Sequence, residues 1–161
     1  MIYVGIDPGT PVTIVALGNS IMDCWDGAQV ATFEKRAGSK TPKPVNNADL
    51  IRAALAPYAA LQTLVVIERV SAMPGQGLSS STRFVGSMYL CQGIAVGLGM
   101  RVKLVTPAAW KRKMGLTSDK ERSRAEALRL WPECAHLFKR KGDHDRAEAA
   151  LLAQWGRENL R

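Results

Sequence analysis

The sequence predicts an α/β domain: a mixed five-stranded sheet with helices on both faces. Three observations predict it. Short apolar runs of strand length alternate with longer segments of helical spacing, the first three strands follow closely enough to form a hairpin meander, and two strands stay apolar until an acid ends them. At 161 residues, 47% of them apolar, the chain reads as one domain, 1–161. A domain of that size hides roughly 70% of its unfolded surface.

Ile2 to Asp7 reads as the first strand. Gly9 and Pro11 turn the chain, and Val12 to Leu17 and Ile21 to Trp25 follow as two strands joined at Gly18-Asn19. Lys35 to Asn47, rich in Lys, Gly, Pro and Asn, reads as a mobile segment. Asn47 caps a helix whose apolar positions Leu50, Ile51, Ala54, Leu55 and Tyr58 are helically spaced. Leu64 to Ile67 is continuously apolar, as in a strand buried on both faces, and ends in Glu68. A Gly- and Ser-rich stretch, Ser71 to Thr82, leads into a core helix, Phe84 to Leu98. Val102 to Val105 is a short strand, and Thr106-Pro107 opens a helical turn that holds Trp110 and Lys111. Ser118 and Glu121 form a capping box for a helix from Asp119 to about Trp131, and a last helix runs from near Asp143 to about Gly156. Three antiparallel strands, then helix, strand, helix, strand and two helices, is the topology of ribonuclease H-like domains.

The charge balance is lopsided. Twenty-two Lys and Arg against fourteen Asp and Glu give +8, and fifteen of those bases lie in residues 101–161. That surplus favours a polyanionic partner. No apolar run approaches the roughly 18 residues of a membrane span, and Met1-Ile2-Tyr3 lacks the flanks of a signal peptide, so no membrane role is expected. Cys24, Cys91 and Cys134 are odd in number, widely spaced and without a CxxC pair. Neither a disulfide framework nor a zinc site is expected, and a reducing cytoplasm fits.

The acids carry the chemistry. A carboxylate ending an apolar strand is expensive to bury unless a cation meets it. Asp7 and Glu68 both end such strands, and they become neighbours if the strands pair. The last helix is apolar around nearly its whole circumference, yet its first turns hold Asp143, Asp145 and Glu148. Asp145 and Glu148, three apart, share a face that His144 can also reach. Capping and the helix dipole account for Asp143 and Asp145 without any function, but not for Glu148 among alanines and leucines. Carboxylates converging without cysteine describe a hard-cation site, hence magnesium or manganese. In a two-metal site the ions sit about 3.5–4 Å apart and cut phosphodiesters.

The chain resembles the RuvC-type Holliday junction resolvases. Gly5-Ile6-Asp7-Pro8-Gly9, Val66-Ile67-Glu68, Pro107-Ala108-Ala109-Trp110-Lys111, Asp119-Lys120 and the terminal Asp145-Arg146-Ala147-Glu148 occur in that family's order. Met73-Pro74-Gly75-Gln76-Gly77 and Lys139-Arg140-Lys141-Gly142-Asp143-His144 are similar to the plant chloroplast branch and its bacterial and phage relatives. No transit segment precedes Met1, which favours a bacterial or phage source. The resemblance implies a homodimer that nicks two strands of a four-way DNA junction symmetrically, with two magnesium or manganese ions per centre. It implies Asp7, Glu68, Asp145 and Glu148 as metal ligands, with Asp143 competing with Asp145, because the chloroplast branch uses an acid at the position of Asp143. Lys111 and Lys120 match lysines near the scissile phosphate, where an ammonium stabilises developing charge.

Lys113, Arg122, Arg124, Lys139, Arg140 and Lys141 are expected to track the DNA backbone. For Arg122 and Arg129 a solvated helix face is an equal alternative. The loop from Ser71 to Phe84, with Met73, Gly75, Gln76, Gly77 and Arg83, is expected to enter the junction centre. Gly75 and Gly77 would permit close approach to bases, and Met73 would wedge at an opened step. Trp110 and Trp131 read as core, and Phe84 to Leu98 as the dimer surface. Two other classes compete. Sugar-kinase and heat-shock ATPases also open with a strand, an Asp and a Gly turn, but clamp nucleotide between two such domains. A noncatalytic junction-binding module would have no use for an intact acidic set.

Overall fold

The computed structural model describes residues 1–35, 38, 40–71 and 78–160. In chain order the elements are β1 (Ile2–Asp7), β2 (Thr13–Leu17), β3 (Ile21–Trp25), β4 (Ala31–Glu34), β5 (Lys43–Asn46), α1 (Ala48–Leu55), β6 (Thr63–Glu68), α2 (Leu78–Gly97), β7 (Arg101–Val105), α3 (Pro107–Lys113), α4 (Lys120–Leu130) and α5 (His144–Asn159). The main sheet runs β3-β2-β1-β6-β7. Its first three strands are antiparallel neighbours, while β6 and β7 join β1 in parallel, the mixed sheet that the sequence predicts.

β1 sits at the centre and alternates between two cores, as the period of two dictates. Val4 and Ile6 face α1 and α2 with Val65 and Ile67, whereas Tyr3 joins Val66 and the apolar side of α5. From Ala147 to Gly156 every residue of α5 is buried. That helix lies unusually close to the sheet because small residues meet there. A Cβ built on Gly5 would stand 1.9 Å from the Ala149 carbonyl oxygen and 2.6 Å from the Ala153 nitrogen. One on Gly156 would stand 2.6 Å from Val66 Cγ2. Gly99, at φ +76°, lets the chain leave α2 and enter β7.

Several local expectations change. Lys35 to Asn47 is not mobile throughout: Lys43–Asn46 forms β5 and pairs antiparallel with β4, although its proline and lysine carry little strand propensity. Tertiary bonds compensate, for the Asn46 amide donates to Gly9 O at 3.0 Å and Ser87 Oγ at 2.8 Å and accepts from Val12 N at 2.9 Å. α2 begins at Leu78, so the Ser-rich stretch is partly helical and Arg83 stands exposed on a helix. α4 is capped by Asp119, not Ser118, because the Asp119 carboxylate accepts from Glu121 N at 2.9 Å. The helix capped by Asn47 ends at Leu55, with a single 3-10 turn carrying Ala56–Tyr58. Met73, Gly75, Gln76 and Gly77 lie outside the described residues.

Gly5→Ala should destabilise the fold by about 1–3 kcal/mol or more, since the obstacle is helix backbone that cannot rotate aside. Gly93→Ala, on exposed α2 with nothing within 4 Å of the new Cβ, should gain up to about 1 kcal/mol. Denaturant titration of both variants checks this; equal stability of the two would refute the seat assigned to Gly5.

Candidate active site at the sheet end

Parallel pairing matches Ile6 with Ile67, so the next residues, Asp7 and Glu68, emerge side by side where β1 and β6 end. α5 brings the other acids. Its close seat on Gly5 places Glu148, only 6% exposed, over the same strand ends, and Asp145 lies one turn earlier at the rim. The four are electrostatically joined. Burial first, then the charges of Asp145, Glu68 and Glu148, hold the Asp7 carboxyl well above the usual carboxylate range, with Lys120 opposing. Burial also raises Glu68; an indole hydrogen bond from Trp110 and the charges of Lys111 and Lys120 pull it back, while Glu148 adds to the rise.

Protein donors orient this cluster. Trp110, fully buried, donates its indole N–H to Glu68 Oε1 at 2.8 Å. Lys111 Nζ reaches Glu148 Oε1 at 2.7 Å and lies 5.1 Å from the centroid of the Trp110 ring. Ser123, also fully buried, donates to the same Glu148 oxygen at 3.1 Å. At the rim, Asp145 Oδ1 meets His144 Nε2 at 3.0 Å and Lys120 Nζ at 3.7 Å.

Asp143 faces elsewhere. It accepts from Arg140 N at 2.7 Å and pairs at 3.5 Å with Arg146, which also grips Asp26 at 2.5 Å in the loop after β3. The structure therefore brings together Asp7, Glu68, Asp145 and Glu148 and sets Asp143 apart. Among the predicted backbone-tracking bases, Lys113, Arg122, Lys139, Arg140 and Lys141 are exposed. Arg124 is committed internally, donating to Lys139 O at 2.9 Å and Glu121 Oε2 at 2.7 Å. Arg129 pairs with Glu126 on the outer helix face. Trp110 and Trp131 are core, as their sequence context suggests. The polar reach of Trp110 and the placement of Ser123 were not foreseen, because neither signal exists without the helices that carry them.

The donor set fits a hard divalent cation in kind: carboxylate oxygens carrying more charge than Lys111 and Lys120 neutralise. Among the described residues no three potential ligands converge on one point. Lys111 and Trp110 hold Glu148 and Glu68 in their present positions, so binding would require these carboxylates to reorient.

The fold is shared with RuvC of Thermus thermophilus. The chain matches RuvC in complex with a Holliday junction substrate at a TM-score of 0.58 and 13% identity, covering 98% of this chain and 95% of that one. It matches a second RuvC structure from the same organism at 0.53 and 14%, covering 98% and 96%. The chain thus shares the fold of RuvC, a ribonuclease H-like architecture. Among curated proteins, the chloroplastic Holliday junction resolvase MOC1 of Chlamydomonas reinhardtii is 31% identical over 85 residues, 52% of this chain. Those residues span 10% of that protein's length. No protein-family profile matches the chain.

A raised carboxyl pKa has a definite sign in stability. The folded state keeps the Asp7 proton over a range where the unfolded chain, near 3.8, has lost it. Stability contributed by the protonated form therefore falls as pH rises from the ordinary carboxylate range to the folded value. Asp7→Asn should melt higher than the wild type near pH 7 without added metal, with the gain shrinking towards pH 4. Melting curves across that range test it, and a gain independent of pH would refute the burial of the charge.

Proposed function

We propose that this chain is a divalent-metal-dependent endonuclease that resolves four-way DNA junctions by paired symmetric nicks, in recombination, repair or phage DNA processing. One arrangement carries the reading: Asp7 and Glu68 end the paired strands β1 and β6, the charges of Asp145 and Glu148 on α5 reach Asp7, and Lys111 and Lys120 pair with Glu148 and Asp145. The RuvC architecture and the Holliday junction named for both the RuvC complex and the curated relative support it. The four acids would hold magnesium or manganese, two ions per centre. A bound divalent ion supplies a Lewis acid that activates water and neutralises phosphodiester charge.

The chain's own groups do the rest. Glu68 is aimed by Trp110, and Glu148 by Ser123 and Lys111. With Glu148 among the residues that would hold an ion, the Lys111 ammonium would be free to face the phosphate and, with Lys120, stabilise charge developing on the phosphoryl oxygens. Exposed Lys113, Arg122, Lys139, Arg140 and Lys141 supply sequence-blind backbone affinity.

One chain carries one centre and a centre cuts one strand, so paired nicks need a homodimer. The exposed apolar side chains Phe84, Tyr89 and Val96 of α2 offer its surface. No described helix is long and apolar enough to cross a membrane. We place the protein in the cytoplasm of a bacterial or phage-infected cell.

With magnesium, the purified protein should convert a synthetic four-way junction into nicked duplexes, and Asp7→Asn should stop cutting while still binding. ATP hydrolysis without junction cutting would replace the nuclease reading with a kinase-like one. Trp110→Phe, which keeps the ring and deletes the donor to Glu68, should weaken metal affinity about 10–100-fold. A metal titration of cleavage reads this directly, and an unchanged titration would show that Glu68 needs no such orientation.

A further inference from the structure

Ten of the fifteen cations in residues 101–161 belong to α3, α4 and the turn before α5, elements that pack on one face of the sheet. The opposite face carries its own. Four of the seven bases before residue 101 fall between Lys35 and Lys43, a stretch without an acid. Of its described bases, Lys35 directly follows β4, Lys43 opens β5, and Lys40 lies three residues before Lys43. Lys35, Lys40 and Lys43 are exposed and make no ion pair among the described residues, and Phe33 beside them is 54% exposed.

The arm that β4 and β5 form is anchored firmly. Asn46, at the base of β5, uses both amide hydrogens and its oxygen to join the turn after Asp7 to Ser87 of α2. Asn47 N adds a bond to Val30 O at 3.0 Å, and Val30 is fully buried in the core beneath α1 and α2. A hollow of about 200 Å³ between arm and helix is lined by Pro44, Val45 and Ser87, with Arg83 and Thr10 among its polar groups. Lys43 is thus held near the sheet end: it lies three residues, about 10 Å of strand, from Asn46 and the turn that follows Asp7.

We propose that the β4–β5 arm is a second DNA-contacting element, binding the phosphate backbone of a duplex limb on the face opposite α3 and α4. This rests on the nuclease reading of the acidic centre. Charge is what selects the partner. Three exposed lysines on a short two-stranded arm outnumber its one acid, Glu34, which stands across from Lys43, and so suit a polyanion better than a hydrophobic or basic surface. A branched substrate extends beyond the strand it offers for cutting, so cations on both faces of the sheet end would grip two limbs around one centre.

The test is a triple variant, Lys35→Ala/Lys40→Ala/Lys43→Ala, with Lys43→Glu as a second probe. Dissociation constants for a four-way junction and for a linear duplex are measured from 50 to 200 mM salt, with melting curves to verify the fold. The triple variant should bind the junction roughly tenfold or more weakly at low salt, and its log–log salt slope should shrink by about 1 for each lysine that meets a phosphate. Junction affinity and slope equal to the wild type would overturn the proposal while leaving the nuclease reading intact. Unchanged DNA binding with altered self-association would assign the arm to a protein contact instead, and so overturn it too. If the wild type bound no DNA, the reading of the acidic centre would fall with it.

Discussion

The seat of α5 on Gly5 governs what the rest of the structure can do. A helix normally packs at a distance set by the side chains between it and its neighbour. Here a glycine in the central strand and a stripe of alanines let backbone approach backbone, and any Cβ at position 5 would collide with the Ala149 carbonyl. The gain is geometric as much as energetic. A helix held that near the sheet brings a carboxylate from its second turn down to the ends of β1 and β6. One further methyl layer would leave Glu148 too far from Asp7 and Glu68 to share a charge environment.

That shared environment is a deliberate excess of negative charge. Each acid is tolerable because something meets it: an indole N–H at Glu68, an ammonium and a hydroxyl at Glu148, an imidazole and a distant lysine at Asp145. Asp7 is the least compensated, and burial, followed by the neighbouring acids, holds its carboxyl well above the usual carboxylate range. An uncompensated carboxylate in a packed sheet is a stability cost, and such costs gather where chemistry requires them. The neutral donors Trp110 and Ser123 matter here because they aim oxygens without cancelling the field.

Much of the architecture was legible because burial leaves a simple trace. Apolar runs of strand length that end in Asp7 and Glu68 announce both the strands and the place where they stop. An all-apolar helix bearing Glu148 announces an acid inside the core. Less visible were features decided at long range. β5 has a proline and a lysine in four residues and becomes a strand only because Asn46 finds partners 34 to 41 residues away in sequence. Asp143 and Asp145 could not be separated by pattern, since a helix rotates about 100° per residue and the choice depends on where its first turn begins. With a 3-10 turn over Lys141–Asp143 and α5 starting at His144, Asp143 swings towards Arg146 and Asp145 towards the cluster.

The acids of the cluster come from positions 7, 68, 145 and 148, which sets the order in which the molecule acquires its chemistry. The contact between Gly5 and Ala149 joins segments more than 140 residues apart, so it cannot form until nearly the whole chain has been made. The meander and β6 are synthesised first and can pair with only half the acids in place. A chain still emerging from the ribosome therefore lacks the acids of α5, and the cluster is complete only when the last helix has taken its seat.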